Sequence, residues 1–113
     1  MFNMQIIVGH LGADPEKRTT NAGTSVVNLS VATSETWKDK ETGERREKTE
    51  WHRIVAFGPM ADATAEYTRK GSLVLVAGTP ETERRTDNAN VERTTVKIKA
   101  DSIKFLSKAP GTD

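Results

Sequence analysis

The sequence predicts a small all-β domain with one helix. Three observations carry that expectation. Apolar residues fall into short runs rich in β-branched side chains, several with a period of two. Clusters of Gly, Pro, Asn and Asp separate these runs. A single segment shows the i, i+3, i+4, i+7 spacing of a helix face. The chain has 113 residues, room for one domain. The spacing predicts that domain over residues 1–107, with a polar exit over 108–113.

Residues 5–11 (Gln-Ile-Ile-Val-Gly-His-Leu) read as a first strand, ended by Gly12 and Asp14-Pro15. Asn21-Ala22-Gly23 is a turn signal. Residues 25–33 read as a second strand, with Val27, Leu29 and Val31 alternating with Asn28 and Ser30. Residues 38–50 carry five basic and five acidic side chains and no apolar one. They read as a long solvated hairpin that turns at Thr42-Gly43. Residues 51–57 form the third strand, closed by Gly58-Pro59.

Pro59 suits a first helical turn, where its missing N–H costs little. Met60, Ala63, Thr64 and Tyr67 then share one face, and Arg69-Lys70 with Gly71 make a favourable end. A helix is therefore expected over 59–70. Residues 72–78 are the most apolar run and read as a buried strand. After a turn cluster at 86–90, residues 91–100 set Thr94, Val96 and Ile98 opposite Thr95, Lys97 and Lys99. Ile103, Phe105 and Leu106 make a last apolar stretch. Three strands, a helix and two strands is the order of an OB-fold, a five-stranded Greek-key barrel that often binds oligonucleotides across strands two and three.

Composition excludes several functions. The absence of cysteine removes disulfides, thiolate metal sites and cysteine nucleophiles. No apolar run approaches the ~18 residues of a membrane span, and the first residues lack the features of a signal peptide. A cytoplasmic protein is expected. His10 and His52 stand far apart, and no catalytic or metal-binding motif accompanies them. No catalytic residue, metal or cofactor is expected. The net charge of +1, from 17 basic and 16 acidic residues, means that a nucleic-acid binder must sort its cations onto one face.

The aromatic residues say more. Trp51, Arg53, Val55 and Phe57 share one face of their strand, and His52, Ile54 and Ala56 share the other. A small barrel suits the Ile54/Ala56 face inward, which leaves Trp51, Arg53 and Phe57 outward. Trp37 sits where the long hairpin begins. Outward aromatics among cations suit single-stranded nucleic acid, since every base has a face to stack. On pattern alone, an oligomer interface or a covered core edge fits equally well. His52 reads as a satisfied histidine at a core edge or subunit contact.

Residues 32–44 (Ala-Thr-Ser-Glu-Thr-Trp-Lys-Asp-Lys-Glu-Thr-Gly-Glu) and 49–58 (Thr-Glu-Trp-His-Arg-Ile-Val-Ala-Phe-Gly) strongly resemble the bacterial and phage single-stranded DNA-binding proteins. So do residues 7–16 and 66–72, and the resemblance covers about residues 4–106. It implies an OB-fold that binds single-stranded DNA in replication, recombination and repair, close to the nucleoid. It also implies a homo-oligomer, most often a tetramer. By position, Trp37, Trp51 and Phe57 would stack on bases. Arg53, Lys40, Arg69, Lys70 and Arg84 would face phosphates, and His52 would lie near a subunit contact.

The chain departs from the family pattern in places. Glu81 and Glu83 stand where cations are common, and Arg85 stands where a further tryptophan would be. Arg85 would then stack and pair with phosphate in its place. Pro80 implies that its strand ends or bulges there. Pro59 occupies a position that is often basic. The acidic tip through which such proteins dock replication and repair partners is absent from the sequence after residue 107. The acidic Glu81/Glu83 stretch and the near-zero net charge motivate a second expectation, an OB-fold accessory module that binds mainly protein partners, with weak affinity for nucleic acid.

Overall fold

The structure is a computed structural model in which residues 1–107 are described. The polar exit expected over 108–113 lies outside the described residues. The elements are β1 (Gln5–Leu11), β2 (Glu16–Thr19), β3 (Ser25–Lys38), β4 (Arg45–Phe57), α1 (Pro59–Tyr67), β5 (Leu73–Thr86) and β6 (Glu92–Phe105). The strands pair in the order β1-β5-β6-β4-β3-β2, and a further β1–β3 pairing closes five of them into a barrel. Only the β4–β6 pair is parallel. The helix lies between the barrel's third and fourth strands in chain order, as the sequence predicts. Among the described residues no helix is long and apolar enough to cross a membrane.

Alternation builds the core. Ile7 and Leu11 of β1, Val27, Leu29 and Val31 of β3, and Ile54 and Ala56 of β4 all turn inward. Val74 and Val76 of β5 and Ile98 and Ala100 of β6 join them. Register sets Leu29 against Ile54 and Ile54 against Ile98, so the inward side chains stack in layers. Each buried Val, Leu or Ile side chain contributes about 1.5–3 kcal/mol. The buried polar side chains among the described residues are Thr64, Thr68 and Ser72, none of them titratable.

The seam of the barrel is short, with only His10 opposite Ala32 and Leu11 opposite Val31. The Leu11 N–H donates to the Ser72 carbonyl and the Gly12 N–H to the Ser30 carbonyl, both at 2.9 Å. Just before the seam, a side chain at Gly9 would fall on the Ala32 carbonyl oxygen and the Val31 methyl. A residue without Cβ is what lets β1 and β3 approach this closely.

Helix α1 is shorter than expected. It ends at Tyr67, where Thr68 turns extended, so Arg69 and Lys70 follow the helix. Its buried residues are Ala61 and Thr64, with Thr68 just beyond its end, and the exposed Tyr67 ring rests 6.1 Å from Phe105. Small side chains let the helix plug the end of the barrel. The Thr64 and Thr68 hydroxyls donate to the carbonyls of Met60 (2.8 Å) and Thr64 (2.6 Å), which satisfies them inside.

Three further expectations change and one holds. Residues 16–19 form a strand, β2, that pairs only with β3 and has every side chain exposed. With no inward face, it has no hydrophobic period to read. The polar stretch over 38–50 is the expected hairpin: β3 reaches Lys38, β4 begins at Arg45 opposite it, and Thr42-Gly43 lies in the connecting turn. The strand holding Pro80 continues to Thr86; its irregularity lies earlier, where the partner jumps from Ser102 for Ala77 to Ala100 for Gly78. Beyond Gly78 this strand has β6 on one side only, and an open edge tolerates a residue with no N–H. The last two apolar stretches join into one strand, β6.

Both long hairpins end in the same device. Asp39 Oδ1 accepts the N–H groups of Glu41 (2.8 Å) and Thr42 (3.4 Å), and its Oδ2 accepts Arg46 Nε–H (3.0 Å). Asp87 Oδ1 accepts the N–H groups of Ala89 and Val91, both at 2.9 Å, and its Oδ2 accepts Arg93 Nε–H at 3.1 Å. Backbone donors, then the arginines, hold both carboxyls below the ordinary aspartate range.

The seam generates a stability prediction. Gly9→Ala should lower unfolding free energy by about 1–3 kcal/mol, the usual cost of overpacking. A urea titration measures it, and an unchanged midpoint would show that the seam has room for a side chain.

Candidate nucleic-acid interface

The inward turn of Ile54 and Ala56 forces their neighbours on β4 outward. Trp51 is 62% exposed and Phe57 42% exposed, about 20 Å apart at the usual rise of an extended strand. Arg53 stands between them, exposed, and makes no ion pair among the described residues. Val55, on the same face, is buried in the floor of a groove.

That groove encloses about 510 Å³ and crosses the sheet. Asp14, Glu16 and Arg18 line one wall, and Asn28 and Ser30 of β3 lie beside Arg53 and Val55. Thr95 and Lys97 of β6 and Glu83 and Arg85 of β5 form the far wall. Register accounts for the grouping. Arg53 pairs with Lys97 and Val55 with Lys99, so the outward faces of β4 and β6 form one surface. Lys99 Nζ lies 5.8 Å from the centre of the Phe57 ring, a cation over an aromatic face.

Trp51 is held from below. A side chain at Gly12 would collide with the six-membered ring of the indole, so that ring lies against the glycine. Gly12 is itself fixed by its N–H bond to Ser30. The indole is thus supported on the β1–β2 loop and still open to solvent.

The other sequence-predicted residues divide. Arg85 faces the groove with Glu83; Arg84 points to the opposite face of the hairpin, 4.0 Å from Glu92. Trp37 is 44% exposed, opposite Arg46. It lies an odd number of positions along β3 from Ala32, the partner of Trp51, so the two tryptophans start from opposite faces of the ribbon. Lys40 stands in the turn at the ribbon's tip. The Arg69 guanidinium donates to the carbonyls of Ala65 (3.0 Å) and Thr68 (2.7 Å) and closes the helix end. The Lys70 N–H donates to Asp14 Oδ1 at 2.8 Å, which sets Lys70 beside the groove wall. His52 is half-buried on the inward side of β4, its Nε2 2.8 Å from the Thr33 hydroxyl.

Sequence reasoning left out Gly12, Arg18, Lys97 and Lys99. The alternation of Lys97 and Lys99 with Val96 and Ile98 carried the signal for two outward cations. Arg18 had no such signal, because its strand has no buried face.

Two comparisons bear on this surface. The family model of the single-strand binding protein family matches residues 2–106. A solved structure described as a Plasmodium falciparum SSB complex with ssDNA is similar to the chain, with a TM-score of 0.86 and 31% identity. The match covers 95% of this chain and 97% of that one.

The support beneath Trp51 is testable. Gly12→Ala should leave the urea midpoint nearly unchanged, because the ring it displaces is exposed. It should shift the tryptophan emission spectrum in a Trp37→Phe background. An identical spectrum would show that the indole does not depend on Gly12.

Proposed function

The chain belongs to the single-strand binding protein family, and on that premise we propose that it binds and protects single-stranded DNA with little regard to sequence. The observation that carries this reading is the outward face of β4. Two exposed aromatics flank an arginine with no ion pair among the described residues, beside a groove walled by Arg18, Arg85 and Lys97. Trp51 and Phe57 stack on bases, each stack worth about 1–3 kcal/mol and indifferent to base identity. Arg53, Arg18 and Lys97 take phosphates and displace their counterions. Trp37, Lys40, Lys70 and Arg85 extend the path along the hairpins and the groove rim. Arg69 adds charge from the helix end, and Arg84 does so from the far face of the β5–β6 hairpin. Replication, recombination and repair in a bacterial or phage-infected cell, close to the nucleoid, are the setting that the family resemblance supports.

Assembly as a homo-oligomer, most often a tetramer in such proteins, is part of the same reading. Beyond the two-residue seam, β1 leaves one edge open over residues 5–9. Ile6 and Val8 are exposed on its outer face. An open edge beside exposed aliphatics suits a second copy of the chain.

Trp51→Ala should weaken oligo(dT) binding by about 1–3 kcal/mol and reduce fluorescence quenching, with the fold intact. Unchanged affinity in the folded variant would remove Trp51 from the interface. For assembly, His52→Glu and the pair Ile6→Glu with Val8→Glu should each lower the mass found by light scattering at micromolar concentration. A wild-type mass in either would clear that face of an interface role.

A further inference from the structure

The far wall of the groove holds an anion of its own. Glu83 Oε1 accepts both Arg85 Nη2–H (3.0 Å) and Arg85 Nε–H (3.2 Å), and its Oε2 lies 3.5 Å from Lys97 Nζ. One carboxylate therefore bridges the two cations that this wall offers. Its pair of oxygens meets a guanidinium and an ammonium much as the two free oxygens of a backbone phosphate would. We propose that Glu83 is a resident competitor for phosphate: it masks Arg85 and Lys97 until a strand displaces it, and so limits affinity on this side of the groove. The inference rests on the single-strand reading above and concerns the control of that same site.

Three observations support it. The groove is divided, since Arg18 and Arg53 on the other side make no ion pair among the described residues. Within the cluster the Glu83–Lys97 pair is more sheltered than the Arg84–Glu92 pair, while Arg85 itself is open to solvent. The Glu83 and Lys97 side chains are 34% and 35% exposed, against 77% and 64% for Arg84 and Glu92. Finally, Arg85 and then Lys97 hold the Glu83 carboxyl below the ordinary range, so it stays ionised wherever DNA is bound near neutrality. The alternative role, in which Glu83 braces Arg85 to receive a phosphate, predicts the opposite sign for its removal.

The test is Glu83→Gln, which keeps size and one hydrogen-bond acceptor, turns the other into an amide donor and removes the charge. Glu81→Gln is the control. Glu81 lies two residues away on the same face, opposite Lys97 in register, and makes no ion pair among the described residues. Oligo(dT) titrations over a range of salt should show Glu83→Gln binding roughly three- to tenfold tighter at low salt, the scale of a charge-assisted contact regained. The slope of log K against log salt should steepen by about 0.7, one further phosphate engaged. Glu81→Gln should gain clearly less. Equal gains from both variants would mean a general charge effect, and unchanged or weaker binding by Glu83→Gln would mean a brace or a bystander; either overturns the proposal. If the wild-type chain does not bind oligo(dT) at low salt, the single-strand reading fails, and the mask fails with it.

Discussion

Everything functional here depends on a barrel that accepts only one face of each strand. Five strands close over a two-residue seam, and the interior fills with Val, Ile, Leu and Ala. Once Ile54 and Ala56 are committed inward, Trp51, Arg53 and Phe57 have nowhere to go but out. The same rule on β6 sends Ile98 in and Lys97 and Lys99 out, and the parallel β4–β6 register places those lysines beside the aromatics. The core therefore positions the surface chemistry directly, with no separate scaffold for the site.

How much of this was legible follows the same rule. Strands with a buried face were readable, because alternation in Val27, Leu29 and Val31 or in Ile54 and Ala56 is a record of the interior. The family motif around Trp37 and Trp51 added the residues proposed to stack. What stayed hidden has no buried face. Strand β2 is wholly exposed, and the outer halves of β3 and β4 are held by ladder bonds and by pairs such as the Ser34 and Thr49 hydroxyls at 3.2 Å. Polarity there reflects the lack of a core, so the hairpin over 38–50 is legible only as a solvated excursion, and β2 not at all. Register hid the remainder. The opposition of Trp37 to Trp51 follows only once partners are known, and that of Arg84 to Arg85 only once the strand is known to run through them. The support of Trp51 by Gly12 joins residues 39 positions apart, beyond any local pattern.

Charge is organised by pairing more than by amount. With a net charge of +1, long-range attraction for a polyanion is slight. Several cations are already committed to structure: Lys17 to Asp62 of the helix at 2.8 Å, and Arg46 and Arg93 to the hairpin tips. Exposed pairs of this kind add little stability. Their greater effect is to remove cations from the pool that a nucleic acid sees. Arg18 and Arg53 remain as the groove cations without an ion pair among the described residues, and local geometry matters more than the overall balance.

The aspartate-locked hairpin tips bear on how the molecule meets a flexible ligand. Each arm carries its own conformational instructions: a carboxylate gathers two backbone N–H groups and an arginine from the returning strand, with no core beneath it. The entropy of ordering the arms is thus lost when the protein folds and not when a strand arrives. A partner that is itself disordered gains most from such a surface, because only one of the two chains must give up freedom. Association should then lack the large heat-capacity change of a protein segment folding around its target, and its thermodynamics should report stacking and ion exchange on arms already in place.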